Sequence, residues 1–253
     1  MVNYTSSELM VVRASRELKN KEVVFVGVGL PNLACNLARR FHAPDLFLIY
    51  EAGAIGATPS RLPLSIGDPA LVTNSLSVCS LFEVFFYYLQ GGIIDVAFLG
   101  AAQIDKFGNI NTTVIGDYHN PQVRLPGSGG ACEAAIHSKK VIFIMKQDNM
   151  KFRSKINFIT TPGFIPNFSR EKNYFSKRSS SIFVITNLGV YKFFEDDNSF
   201  HLLEIYPNIS LSDIKKNVSW RLKVSPELKI SEPPSDRELR ILREELDPMR
   251  TFI

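Results

Sequence analysis

The chain has 253 residues, of which 45% are hydrophobic and 21% charged, a balance that suits one large α/β domain and excludes a disordered protein. A net charge of +4 is mild and diffuse, which argues against nucleic-acid binding and is compatible with an anionic ligand. No apolar run reaches the roughly 20 residues of a membrane span, the N-terminus lacks a secretory pattern, and the distant cysteines Cys35, Cys79 and Cys132 offer neither a CxxC pair nor a disulfide framework. The expectation is a cytoplasmic protein with no membrane or nucleic-acid partner.

Thr5-Ser6-Ser7-Glu8 forms a capping-box pattern ahead of Leu9-Met10-Val11-Val12, so a first helix is expected to run to about Lys19, with Asn20 as its stop. Glu22 to Gly27 reads as a strand. Gly29-Leu30-Pro31-Asn32 turns the chain into a second helix, with Pro31 suited to its first turn, ending near Phe41. After Pro44, the five apolar residues Leu46 to Tyr50 read as a buried strand that delivers Glu51 to the small-residue run Ala52-Gly53-Ala54-Ile55-Gly56. This β-loop-α-β order is the unit of a parallel sheet covered by helices. Ser80 to Leu89 reads as an aromatic helix stopped by Gly91-Gly92, Asp95 to Leu99 as a strand, and Gly100 to Asn111 as a loop with a turn at Gly108-Asn109. Gly127-Ser128-Gly129-Gly130 leads into a helix start at Ala131, and Val141 to Met145 is another strand. Ser169 to Ser181 is expected to be an exposed loop, with short strands after it at Ile182–Thr186, Gly189–Phe194 and His201–Tyr206. Ser235-Asp236-Arg237-Glu238 is a second capping box, opening a last helix through Leu239, Leu242 and Leu246 that Pro248 ends. No linker interrupts the chain, which reads as a single domain over 1–253, parallel α/β first and more antiparallel later.

Three places can carry chemistry. Glu51, a carboxylate between a strand and a turn of small residues, is either a hydrogen-bonded strand-end group or a nucleophile. Gly127-Ser128-Gly129-Gly130 is either a tight turn or an oxyanion site, since consecutive glycine amides can aim at one point with no side chains in the way. Gly27-Val28-Gly29 follows a strand and opens a helix, but Asn32 stands where a dinucleotide loop has its third glycine, which leaves a ligand-facing turn around Gly29. Ser128 with His119 and Asp117 does not have the spacing of a nucleophile elbow. His42, His119, His137 and His201 show no metal-ligand spacing, so no metal is expected. Arg170, Lys172, Lys177 and Arg178 make a basic loop of the kind usually only solvated. Phe82, Phe85, Phe86 and Leu89 read as core or as a subunit contact.

Taken in order, Val26-Gly27-Val28-Gly29-Leu30-Pro31, Ala43-Pro44-Asp45, Tyr50-Glu51-Ala52-Gly53, Gly100 to Asp105 with Gly108-Asn109, Gly116-Asp117-Tyr118-His119, Gly127-Ser128-Gly129-Gly130-Ala131 and the ending Arg243 to Pro248 resemble the β subunits of class I CoA-transferases, the glutaconate type most of all. The resemblance spans nearly the whole chain. It implies an α/β/α three-layer fold with a mainly parallel sheet and an active site shared with a homologous α subunit. It also implies transfer of CoA from an acyl-CoA to a free carboxylic acid, with no permanently bound cofactor and with coenzyme A thioester as substrate. Glu51 matches the catalytic glutamate, which forms an acyl-glutamyl anhydride and then a glutamyl-CoA thioester. Gly127 to Gly130 match the oxyanion stretch, the amides of Gly129 and Gly130 above all. Gln103 and His119 line up with polar residues near that site. The chain departs from the glutaconate enzymes at Ala52, where they have serine. Asn187-Leu188-Gly189-Val190 is equally similar to a branch of CoA-dependent ring-opening hydrolases, the alternative activity, whereas Gly116 to His119 and the intact glycine loop favour a transferase. A sugar-binding regulator on the same fold would need no acid at position 51.

Overall fold

The computed structural model describes residues 3–59, 61–163 and 181–253. The expected basic loop with Arg170, Lys172, Lys177 and Arg178 lies outside the described residues. Helix α1 (Ser6–Ser15) starts as its capping box requires, with the Thr5 hydroxyl accepting from the Glu8 amide and the Glu8 carboxylate accepting from the Thr5 amide. It stops four residues before the expected Lys19, because the Ser15 hydroxyl turns back onto the Val12 carbonyl and the following turn folds Leu18 into the core.

Strand β1 (Val23–Val26), helix α2 (Leu30–Phe41) and strand β2 (Phe47–Tyr50) form the first parallel unit. Two short antiparallel strands, β3 (Ala54–Ile55) and β4 (Ser77–Val78), extend the sheet beyond β2. Helix α3 (Leu81–Glu83) begins with a capping box on Ser80 and widens at once into a π-helical turn, Val84–Leu89, in which the Gln90 amide reaches the Phe85 carbonyl at 2.9 Å. Strand β5 (Val96–Gly100) follows.

The stretch expected to be a loop, Gly100 to Asn111, instead folds into a small hairpin of β6 (Gln103–Ile104) and β7 (Ile110–Asn111). The buried Asp105 carboxylate organises its turn by accepting from the Phe107 and Asn109 amides and the Asn109 side chain, a local bonding pattern that hydrophobic periodicity does not reveal. A second hairpin, β8 (Val114–Gly116) and β9 (Pro121–Arg124), leads into α4 (Ala131–His137) and β10 (Lys140–Ile144). Strands β11 (Ser181–Ile185), β12 (Gly189–Phe194) and β13 (Ser199–Ile205) fall where expected. Helix α5 (Leu211–Lys216) and strand β14 (Lys223–Ile230) had no sequence signal; β14 is a largely exposed edge strand carrying Pro226, so it has little apolar alternation to read. Helix α6 (Asp236–Arg240) continues as a π-helical turn, Ile241–Leu246, before Pro248.

The large sheet runs β14-β13-β12-β11-β10-β5-β1-β2-β3-β4, with the inner five, β11 to β2, all parallel. Alternation along these strands divides the core in two. Val24, Val26, Leu48, Tyr50, Val96, Phe98, Ile142 and Ile144 face the layer of α1, α2 and α6. Phe25, Ile49, Ala97, Leu99, Val141 and Phe143 face the layer that holds the 84–89 turn, α4 and α5. The expected three-layer α/β/α arrangement is therefore the one observed. Because the chain leaves β1 toward β2 on one side and finds β5 on the other, the carboxyl ends of β1, β2 and β5 flank a topological switch point, the place where open α/β sheets bind ligands.

Candidate active site

Glu51 is the first residue beyond β2, at that switch point. Its neighbour Tyr50 is buried, and the phenol donates to Asn32 Oδ1 at 2.8 Å, the oxygen that also accepts from Asn36 Nδ2. Burial pushes the Tyr50 phenol up, so it stays a protonated donor and ties the end of β2 to α2. Beyond Glu51 the chain turns at Gly53, whose amide donates to the Tyr50 carbonyl. Gly53 has φ +102°, and a Cβ there would lie 1.9 Å from the Cys79 carbonyl oxygen, so only glycine fits. The Cys79 amide donates back to the Gly53 carbonyl at 3.0 Å. Glu51 is thus held from below by α2 and from one side by the segment that leads into α3.

The glycine loop arrives from the other side. Thr112 pins its start twice: the Thr112 hydroxyl donates to the Gly127 carbonyl at 2.8 Å, and the Gly127 amide donates to the Thr112 carbonyl at 2.9 Å. Gly129 adopts φ +46°, and the turn it makes brings the Gly130 amide to the carboxylate, where N–H donates to Glu51 Oε1 at 2.9 Å. Among the described residues no other group is hydrogen-bonded to that carboxylate. The two features singled out separately in the sequence therefore meet, across 79 positions.

The remaining candidates take other places. Gly29 is the N-cap of α2, with φ +85° and open space where a side chain would go, at the carboxyl end of β1 beside the switch point. Ser128 accepts the Ala131 amide through its carbonyl, closing the turn into α4. Gln103 is buried, and its side-chain amide is fully engaged: Nε2 donates to Asn157 Oδ1 and the Met150 carbonyl, while Oε1 accepts from Asn111 Nδ2 and the Asn157 amide. Since Asn111 precedes Thr112, Gln103 supports the strand that anchors the glycine loop. His119 sits exposed at the tip of the β8–β9 hairpin, edge-on to Tyr118, with its amide on Asp117. Asn187 to Val190 form the β11–β12 turn, where Asn187 accepts the Gln147 amide and Gly189 packs against the Glu204 carbonyl, a structural role that speaks for no particular chemistry. Sequence reading missed Thr112 as a functional residue, and no spacing signal marks it. No cluster that could hold a metal ion occurs among the described residues. A cavity of about 590 Å³ lies away from the site, between α1 and the turn after β13, lined by Tyr4, Leu9, Tyr206 and Ile209.

Residues 7–217 match the family model of the coenzyme A transferases. The chain belongs to that family. It is 44% identical to the β subunit of 3-oxoadipate CoA-transferase from Pseudomonas knackmussii, over 96% of this chain and 94% of that one. It is 35% identical to the β subunit of glutaconate CoA-transferase from Acidaminococcus fermentans, over 99% and 96%. The crystal structure of the Acidaminococcus fermentans glutaconate CoA-transferase superposes with a TM-score of 0.90 at 34% identity, covering 99% of this chain and 98% of the compared chain. The expected family and fold are those found.

Proposed function

We propose that residues 1–253 form the β subunit of a CoA-transferase that moves CoA from an acyl-CoA to a free carboxylic acid, with Glu51 as covalent nucleophile. The observation that carries this reading is the Gly130 amide on Glu51 Oε1 at 2.9 Å. It leaves Oε2 as the attacking oxygen. Oε2 adds to the thioester carbonyl, the C–S bond breaks and CoA thiolate leaves, giving an acyl-glutamyl anhydride. The thiolate then attacks the glutamyl carbon and expels the donor acid, which departs with Oε2, leaving glutamyl-CoA. The acceptor carboxylate reverses both steps and supplies the replacement oxygen. Oε1 stays on the glutamyl carbon throughout, so the Gly130 amide serves the oxyanion that forms there. The oxyanion on the acyl carbon falls to the Gly129 amide, which has no acceptor among the described residues, and to the partner.

The partner is a homologous α subunit. Both relatives above are named as subunits of their enzymes. A surface for such a partner adjoins Glu51: Leu76, Val78, Leu81, Phe82, Phe86 and Tyr87 are all exposed, and Phe82 stacks on Phe86 with ring centroids 4.2 Å apart. The two relatives are named for dicarboxylates, 3-oxoadipate and glutaconate, so the acceptor proposed here is a dicarboxylic acid of that length. The test is borohydride reduction of the co-purified two-subunit enzyme after incubation with succinyl-CoA. A reduced adduct at Glu51, with loss of activity, is expected; an unmodified Glu51 in an active complex refutes the covalent mechanism. Thioester or ring hydrolysis without transfer to an added acid would point to the hydrolase activity instead.

A further inference from the structure

We propose that Phe85 is a positioning residue for the Glu51 reaction, a wall that sets where the Gly130 amide stands; the inference rests on the covalent reading above. Gly130 has φ −83° and ψ 3°, the bridge region that non-glycine residues also adopt in type I turns, so a negative φ does not demand glycine there. Space does. A Cβ on Gly130 would lie 2.4 Å from Phe85 Cζ, 2.9 Å from the next ring carbon and 3.3 Å from Glu51 Oε1. Gly130 therefore packs against both the Phe85 ring and the Glu51 carboxylate, with the ring tip occupying the place of a side chain.

The ring is itself fixed. Its edge packs against Phe25, a buried residue of β1, with centroids 6.4 Å apart and planes at 75°. The π-helical turn Val84–Leu89 gives Phe85 this inward direction while Phe86 and Tyr87 stay exposed on the same turn and Phe82 on α3 before it. Such widened turns occur preferentially at functional sites. A few residues earlier, the backbone of Cys79 closes on Gly53. Segment 79–85 thus touches the glutamate turn at one end and the glycine loop at the other, and its rigidity sets the distance between nucleophile and amide. Apolar residues on this helix read from the sequence as core or subunit contact; Phe85 is neither alone.

The test uses the assembled two-subunit enzyme with succinyl-CoA as donor and 3-oxoadipate, glutaconate and acetate as acceptors, with borohydride trapping of the Glu51 adduct. Phe85→Ala is expected to lower kcat and the rate of adduct formation by about 10-fold to 100-fold, somewhat less than loss of an entire oxyanion donor, with KM for the donor within about 3-fold. Gly130→Ala alone is expected to abolish transfer, and Gly130→Ala combined with Phe85→Ala to recover part of it, because the smaller wall admits the new methyl group. A residue that only stabilised the fold would move melting temperature and not this kcat-against-KM split, nor would it give rescue. If Phe85→Ala does not assemble, Phe85→Leu decides, with a smaller loss in the same direction. A folded Phe85 variant with wild-type kcat and adduct rate overturns the inference, as does a double variant no more active than Gly130→Ala. If wild-type enzyme transfers CoA with no Glu51 adduct, the covalent reading falls and this inference with it; if wild type forms the adduct and Phe85→Ala forms it equally fast, the inference alone falls.

Discussion

Shortening the proposed nucleophile by one methylene, Glu51→Asp, keeps its charge and removes its reach. The carboxylate withdraws by about 1.5 Å, which opens the 2.9 Å contact with the Gly130 amide to about 4 Å, beyond hydrogen-bond distance. A hydrogen bond to a charged group is worth about 1.5–3 kcal/mol, a factor of roughly 10 to 150. Misplacing a reacting group by about 1 Å costs on the order of 10²-fold by itself. Together these give an expected fall in kcat of about 10³-fold to 10⁴-fold, with KM for acyl-CoA little changed. The fold should not notice, since the Gly130 amide is the carboxylate's only hydrogen-bond partner among the described residues; the melting temperature is expected to stay within about 2 °C of wild type. Glu51→Gln is the matching control: it keeps the length and an oxygen for Gly130 but loses the nucleophile, so it should form no trappable adduct. The assay is steady-state CoA transfer by the two-subunit enzyme, read beside a thermal melt. An aspartate variant within about 10-fold of wild type would refute the claim that reach to the Gly130 amide sets the rate.

Gly53→Ala should be far more damaging to stability than its size implies, because it combines φ +102° with a methyl 1.9 Å from the Cys79 carbonyl oxygen; a loss of about 2–4 kcal/mol in urea unfolding is expected, and a loss below about 1 kcal/mol would contradict the geometry. Phe82→Asp with Phe86→Asp should leave this subunit folded, since both side chains are about half exposed, but should release it from the α subunit in size-exclusion chromatography; a variant pair that co-elutes normally would remove this face from the interface. Acid should loosen the packing of α1. Burial raises the Glu204 and Glu238 carboxyls, but the bidentate partners Arg13 and Arg16 outweigh it and hold both below their ordinary value near 4.5. Their folded values being depressed, the stability they contribute is complete above the unfolded value and is lost as pH falls through the folded ones. Melting temperature is expected to be flat from neutral pH to about 5 and to fall below that, and Arg13→Gln should lower stability at pH 7 while weakening the acid dependence.

Much of the frame was legible because it rests on local rules. The capping boxes at Thr5 and Ser235 each start a helix, and the apolar run before Glu51 is a buried strand because the parallel sheet is covered on both faces. The hairpin of β6 and β7 was not legible, since its turn is built by Asp105 side-chain bonds and not by periodicity. Strand β14, an exposed edge with Pro226, offers no pattern at all. Within the site, the glycines at 127–130 could be read as a flexible amide cluster, but their contact with Glu51 joins residues 79 apart and follows from topology. Gln103 and His119 were drawn to the site by resemblance. Buried and saturated, Gln103 supports the strand before Thr112, and His119 stands exposed on a hairpin tip. Phe85 could not be singled out because its direction depends on a widened turn that no propensity encodes.

The geometry of Glu51 also explains why this chain should need a partner for its chemistry. A carboxylate becomes an effective nucleophile when it is positioned and shielded from water. This subunit supplies the first requirement through Tyr50, Gly53 and Gly130, and it supplies the second only in part: Glu51 is half-buried, Ala52 beside it is exposed, and the adjoining aromatic face is open. On the proposed reading the chain carries the nucleophile and the amide that stays with its carbonyl, and the groups that close the site over the acyl carbon, and so choose the acid, come from across the exposed face.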